Sequence, residues 1–351
     1  MRIDEKSAVA VILLGMVGLA VFAGCTGTKD TGGMVEKEEP QELTKVRLAW
    51  FKGGTIIAQY VAQEKGYFED EGLDVEITYF KSTADAIPSV AAEEIEFGIT
   101  SNTPVLRSVA SGVPIKGIGL VHYASAEEKH ISAMTVALAE SGIEKPEDLK
   151  GKRIAIPYVG GDAHIYAVAL LKKHGISPDE VTFVTVPWPF HIDALLKGEV
   201  DAATLLISHI ANLRSQGIDY NIVMDSGELL PRRESVLIYT STSYMEKNPE
   251  VVRGFLRAFY RGQAYLEAHP EEYKNYLAEY LGWKPEILEE LDNLHENGLP
   301  HGLPHGGRFD EKTWQDFIKI MVETGFLEEE IPVEKVYTEE YLPDLKDLEG
   351  V

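Results

Sequence analysis

Several groups of residues in this chain have types and spacings that could do chemistry. Gly53-Gly54 and Gly160-Gly161 each stand just ahead of a helix-like run. Paired glycines there expose backbone N–H groups that can hold an anionic or polar head, although a plain turn uses the same residues. Trp188-Pro189-Phe190-His191 places two aromatic rings in a loop stiffened by Pro187 and Pro189. Such rings suit a ligand with a flat or apolar part, or packing between the loop and the body of the protein. Gly298-Leu299-Pro300-His301 repeats as Gly302-Leu303-Pro304-His305, with His295 nearby. Three histidines could bind zinc or nickel, but Gly and Pro make a loose loop and no carboxylate lies inside the repeat. An ordinary surface loop is expected there, with no metal. No G-x-S-x-G elbow, H-E-x-x-H helix or P-loop occurs, so neither an enzyme nor a cofactor is expected.

Periodicity supplies the elements that must position these residues. Strands are expected at 46–50, 73–79, 95–100 and 115–121, with helices at 56–65, 84–92 and 104–110 between them. The alternation then repeats: strands at 134–139, 153–156, 181–186, 202–207 and 220–224, and helices at 164–174, 192–196 and 209–214. A strand at 236–239 precedes helices at 249–268, 270–281, 285–294 and 311–324. Alternating β and α elements imply mostly parallel sheets with helices on their faces. An internal echo supports two lobes of similar design: Glu93-Glu94-Ile95-Glu96-Phe97-Gly98-Ile99 resembles Gly198-Glu199-Val200-Asp201-Ala202-Ala203-Thr204, at an offset of 105 residues.

Cys25 is the only cysteine, which excludes an intramolecular disulfide. It follows a short charged start and an uncharged stretch from Ser7 to Gly24. Ala23-Gly24 directly before it resembles a lipoprotein signal, although Phe22 stands where Leu is usual. The apolar part, Ala8 to Ala23, is shorter than the ~20 residues of a spanning helix. Residues 1–25 are therefore expected to be a signal peptide ending at a lipidated Cys25, with 26–45 a flexible tether. Export is expected, with anchoring to the outer face of the cytoplasmic membrane by that lipid. Removing residues 1–24 deletes two basic and two acidic residues, so the net charge of -24 is unchanged. So acidic a surface repels nucleic acid.

Ordered segments then resemble one family. Ala62-Gln63-Glu64-Lys65-Gly66-Tyr67-Phe68-Glu69-Asp70-Glu71-Gly72-Leu73-Asp74-Val75 is similar to A-x-x-x-G-[YF]-[FY]-x-x-x-G-L-x-V. Glu147 to Ile154 is similar to D-L-K-G-K-x-I. Gly175-Ile176 with Pro178 to Val181 resembles G-[LI]-x-P-x-D-V, and Ala194 to Ala202 resembles A-L-x-x-G-x-[VI]-D-A. Over 46–342 the chain resembles the SsuA/THI5-like solute-binding lipoproteins of ABC importers, which handle sulfonates, taurine, nitrate and thiamine precursors. The resemblance implies an α/β, two-lobed periplasmic-binding-protein-like type II fold with two crossing segments. It also implies a small-molecule solute, a permease with its ATPase as partners, and a monomer. The expected boundaries are 46–125 with 236–345 for lobe I and 126–235 for lobe II. A relative that makes the thiamine pyrimidine uses a cysteine-rich iron motif, which this chain lacks. The thiamine-precursor branch often follows a strand-ending Trp with Asn and His. Trp50 matches, but Phe51-Lys52-Gly53-Gly54 lacks both, so the solute class stays open.

Open α/β sheets bind ligands beyond the carboxyl ends of their strands. That rule nominates Phe51, Lys52, Gly53, Gly54 and Thr55 after the first strand, and Ser101, Asn102 and Thr103 after the third. His122 and Tyr123 lie near the first crossing. In lobe II it nominates Gly160, Gly161, Asp162 and His164, then Trp188, Phe190 and His191, then Ser208 with His209 beside it. Near the second crossing stand Arg232, Arg233 and Glu234, which could pair with each other or with a ligand; of these, Glu234 is taken as a contact. Capping is the alternative role for Ser101 to Thr103. A metal-binding lipoprotein using His295, His301 and His305, and a sensory ligand-binding lipoprotein, are the competing readings.

Overall fold

In β1 (Thr44–Trp50), Val46, Leu48 and Trp50 fill one face and Ala49 the other, and all four are buried. A strand buried on both faces belongs inside a parallel sheet covered by helices. The computed structural model describes residues 42–50, 56–80, 83–125, 133–230, 232–294 and 305–348. The first lobe begins with β1, α1 (Ala58–Glu64), α2 (Tyr67–Asp70), β2 (Leu73–Tyr79), α3 (Ile87–Ala91), β3 (Phe97–Ser101), α4 (Asn102–Ala110) and β4 (Ile115–Ser125). The second holds β5 (Met134–Leu138), β6 (Arg153–Ile156), α5 (Asp162–Lys173), β7 (Thr182–Thr185), α6 (His191–Leu196), β8 (Ala202–Leu205), α7 (Ile207–Ser215) and β9 (Tyr220–Asp225). β10 (Arg232–Ser241) returns to the first sheet. The helices α8 (Thr242–Lys247), α9 (Pro249–Ala268), α10 (Pro270–Leu281), α11 (Pro285–Leu294), α12 (Glu311–Glu323) and α13 (Val333–Val336) follow.

The two sheets share one plan. Their orders are β2-β1-β3-β10-β4 and β7-β6-β8-β5-β9. β1 pairs in parallel with β2 and β3, and β6 with β7 and β8. β10 runs antiparallel between β3 and β4, and β5 antiparallel between β8 and β9. Four strands in each sheet therefore run one way and the fifth runs against them. The expectation of mostly parallel sheets holds.

The internal echo falls at the same place in both sheets, just before β3 and β8. Midway along β1, Arg47 donates from its backbone N–H and guanidinium to Glu96, just before β3. At the start of β6, Arg153 donates from the same groups to Asp201. Both echo segments begin in the left-handed region, with φ 58° at Glu93 and 66° at Gly198. One clamp ties β1 to the start of β3 and the other ties β6 to the start of β8, at the end away from the helix-bearing carboxyl termini.

The first core packs Val46, Leu48, Phe97 and Ile99 against α9, where Phe255 stacks on Phe97 at 4.1 Å. The opposite face packs Ala49, Ile87, Leu237 and Tyr239 with Trp314 and Phe317 of α12. In the second lobe Ile154 and Ala202 pack with Leu170 and Leu171 of α5, while Ala155 and Ala203 pack with α6 and α7.

Two sequence expectations are corrected. The run Leu205-Leu206-Ile207 does not extend the strand from Ala202: the strand stops at Leu205 and α7 starts at Ile207. The cause is His209, whose Nδ1 accepts the Leu206 N–H at 3.2 Å and turns the chain into a helix. The last strand begins at Arg232 rather than Val236: Arg233 is buried against the Tyr166 ring and Glu234 against Trp314 and the Asp310 N–H, while Arg232 stays partly exposed and pairs with Glu234.

α9 crosses α1 closely at Gly262. A Cβ there would lie 2.4 Å from the Ala58 carbonyl oxygen, on backbone that cannot move aside. Gly262→Ala should therefore lower the unfolding free energy by about 1–3 kcal/mol. An earlier urea midpoint with an unchanged slope is the expected result.

Candidate functional site

The carboxyl ends of the parallel strands carry the nominated residues, and two of those ends meet. β3 ends at Ser101, and Asn102 and Thr103 open α4. β6 ends at Ile156, and Pro157 to Gly161 lead into α5. Between them Thr103 Oγ1 donates to Asp162 Oδ1, and Ser101 Oγ lies 3.5 Å from the Tyr158 hydroxyl. Ser101, Thr103, Gly160, Gly161 and Asp162 thus share one junction between the lobes.

The glycine pair is required by this turn. Gly160 has φ 76°, and its N–H donates to His164 Nδ1 at 3.0 Å. A Cβ at Gly161 would lie 2.4 Å from the Tyr158 ring. His164 is buried edge-on to Phe183 and Phe326, and burial lowers its pKa. With Nδ1 accepting, it is a neutral ring that holds the turn. Burial raises the pKa of the Asp162 carboxyl, while the Thr103 hydroxyl, Arg233 and the Thr103 N–H act against the rise.

After β7, Pro187 to Phe190 form a single tight turn. The Trp188 indole lies 4.9 Å from the His191 ring and 5.5 Å from the His209 ring. His209 receives the Leu206 N–H on Nδ1, so its Nε2–H donates to the Trp188 carbonyl at 3.1 Å. Burial pushes His209 down to about 4. His191 is fully buried between the Thr204 and Val186 carbonyls, at 2.7 and 2.6 Å. Burial pulls its pKa down, and the two carbonyls act against that. These two histidines pin the loop, while Phe190 stays 56% exposed. Ser208 is half-buried in the first turn of α7.

Other nominated residues lie at the crossing strands. His122 Nδ1 is 2.6 Å from Ser235 Oγ, and Tyr123 stands opposite Glu234 in the β4–β10 register. The Asn102 side-chain amide donates to the Glu234 carbonyl at 2.8 Å. The Glu234 carboxylate turns to α12: it accepts the Trp314 Nε1–H at 2.6 Å and the Asp310 N–H at 2.8 Å, with Arg232 at 3.3 Å. Burial raises it to about 7. Phe51 to Thr55, Cys25, His295 and His301 lie outside the described residues. Among the described residues no cluster of three or more His, Cys, Asp or Glu could hold a metal ion.

Sequence reasoning passed over Tyr158 and Tyr79, although both lie at strand ends and follow from the same rule. Tyr79 is 53% exposed, its hydroxyl is 3.1 Å from that of Tyr60, and Tyr60 stacks on Tyr280 at 4.4 Å. Arg233, left undecided by the sequence, is buried with its guanidinium 4.7 Å from the centre of the Tyr166 ring.

Two sheets of this strand order, joined by crossing segments and meeting at their strand ends, define the fold of the periplasmic solute-binding proteins. The chain belongs to the NMT1/THI5-like family, whose pattern matches residues 54–273. A formylaminopyrimidine-binding protein of Halalkalibacterium halodurans is 24% identical over 314 residues, covering 86% of this chain and 91% of its own length. The riboflavin-binding protein RibY of Chloroflexus aurantiacus is 26% identical over 357 residues, covering 95% of this chain and 97% of its own. The crystal structure of the periplasmic aliphatic sulphonate binding protein SsuA from Escherichia coli matches with a TM-score of 0.68 at 18% identity, covering 85% of this chain and 98% of that one.

Glu234 makes stability depend on pH in a definite direction. A carboxyl raised to about 7 in the fold, against 4.5 for the free side chain, contributes stability that is full below about 4.5 and lost as pH rises through about 7. In urea unfolding, the wild type should gain about 3 kcal/mol over Glu234→Gln as pH falls from 8 to 4.5. A constant difference would refute this role.

Proposed function

We propose that the chain is the extracytoplasmic solute-binding component of an ABC importer. It captures a small organic or anionic solute between two lobes and delivers it to a membrane permease and its ATPase. The observation that carries this reading is the junction of Ser101 and Thr103 with Tyr158 and Asp162, where strand ends of the two sheets meet beside the crossing strand. Binding rather than catalysis follows from the histidines at these strand ends: His164, His191 and His209 are each held by backbone groups. The lobes are taken as 46–125 with 236–345, and 126–235. Export as a monomer with a lipid on Cys25 completes the reading, and the lipoprotein-like stretch before Cys25 supports it.

Within that function, a flat organic solute suits the strand ends better than a bare inorganic anion. Tyr79 and Phe190 are more than half exposed, and Tyr158 and Trp188 stand at strand ends of the second lobe. Aromatic rings gain most against another planar surface. The names of the pyrimidine-binding and riboflavin-binding relatives point the same way.

Closure around a solute is a two-state equilibrium, driven by contacts that only the closed state makes. Small-angle scattering of residues 26–351 should show a smaller radius of gyration with a bound solute found by thermal shift among riboflavin, pyrimidines, alkanesulfonates, taurine and nitrate. Identical curves with and without that solute would count against the proposal. Trp188→Ala should weaken binding by about tenfold or more while the unfolding free energy in urea stays within about 1 kcal/mol of wild type. Unchanged affinity would leave Trp188 as loop packing against His191 and His209.

A further inference from the structure

The junction between the lobes contains a carboxylate at a place built for an anion. α4 runs nine residues from Asn102 to Ala110, and its flanking Ser101 makes no side-chain cap bond. The first-turn N–H groups of a helix need an acceptor, and the partial positive charge there favours a negative one. Here the acceptor comes from the other lobe. Asp162 receives the Thr103 hydroxyl on Oδ1, and the Thr103 N–H also acts on its carboxylate. A second positive group bears on the same carboxylate. Arg233 is 6% exposed, its charge acts on Asp162, and its Nε has no hydrogen-bond partner among the described residues.

We propose that Asp162 is a specificity-determining residue: a built-in anion that fills the positive end of α4 and sets the cleft against anionic solutes, in favour of uncharged or cationic ones. The inference rests on the solute-binding reading and narrows it. A sulfonate or nitrate entering between these strand ends meets a carboxylate already holding the donors it would use. It also approaches a chain of net charge -24, with no surplus of positive charge to draw it in. An uncharged ring with N–H groups meets the same carboxylate as an acceptor. Asp162 thus separates two solute classes that share a fold.

The test compares the wild type, Asp162→Asn and Thr103→Val of the full mature chain by titration calorimetry. The probes are butanesulfonate, nitrate, riboflavin and an aminopyrimidine. Asn keeps the shape and an acceptor for Thr103 but removes the charge; Val removes the hydroxyl and keeps the charge. The wild type should prefer an uncharged heterocycle, and Asp162→Asn should bind butanesulfonate or nitrate about tenfold or more tightly than the wild type. Thr103→Val should still reject both anions. Tight binding of an anion by the wild type overturns the inference and leaves the solute-binding function standing. Equal gains in Asp162→Asn and Thr103→Val overturn it too, because loosened lobes rather than lost charge would then be the cause. If no probe binds any of the three proteins, the solute-binding reading itself fails and the inference with it.

Discussion

Parallel strands cannot be joined by tight turns, so each must send the chain back through a helix before the next begins. That constraint organises this molecule. In both sheets it gathers the carboxyl ends of three neighbouring strands on one edge, each followed by a helix or helical turn as the next described element. Helix starts carry unpaired N–H groups and partial positive charge, so the edge is polar and shaped by glycine, proline and short side chains. Gly160-Gly161, Ser101 to Thr103 and Pro187 to Phe190 are all products of it. The far edge, locked by the Arg47–Glu96 and Arg153–Asp201 clamps, holds the strands in register.

Holding two such edges together needs elements that belong to both lobes. α5 buries every residue from Ala163 to Leu171, which an ordinary surface helix does not. Ile165 and Tyr166 join the core under α12, while Leu170 and Leu171 join the core of the second sheet. α7 does the same, with Ile207 and Ala211 in one core and Ile210 and Leu213 in the other. β10 adds a polar seam to this apolar one. Its Glu234 is buried because Trp314, Asp310 and Arg232 surround the carboxylate. A buried carboxylate is tolerated only where its oxygens are so occupied. These shared elements tie the two lobes along one seam.

Local pattern made much of this legible. The long helices at 249–268, 270–281 and 285–294 begin at Pro, which removes an N–H that would be unpaired anyway, and their bounds match the sequence reading. The echo before β3 and β8 could be read as a repeat, and its side chains then turned out to serve the same clamp. The errors arise where a particular side-chain hydrogen bond or a distant partner decides. Ile207 reads as strand until His209 takes the Leu206 N–H. Arg233 and Glu234 read as part of a charged hinge until Tyr166 of α5 and Trp314 of α12 draw them inside.

The sequence by itself determined the class of architecture, the helices that begin at proline and the positions of the strand-end loops, because periodicity, proline and glycine act over a few neighbouring residues. Only the tertiary structure decided what each polar side chain faces. Trp188 lies on two histidines far from it or near it in sequence, Glu234 turns to α12, and Asp162 takes the Thr103 hydroxyl from a helix of the other lobe. Hydrogen bonds and burial depend on groups brought together from across the chain, and no local pattern in the sequence carries that information.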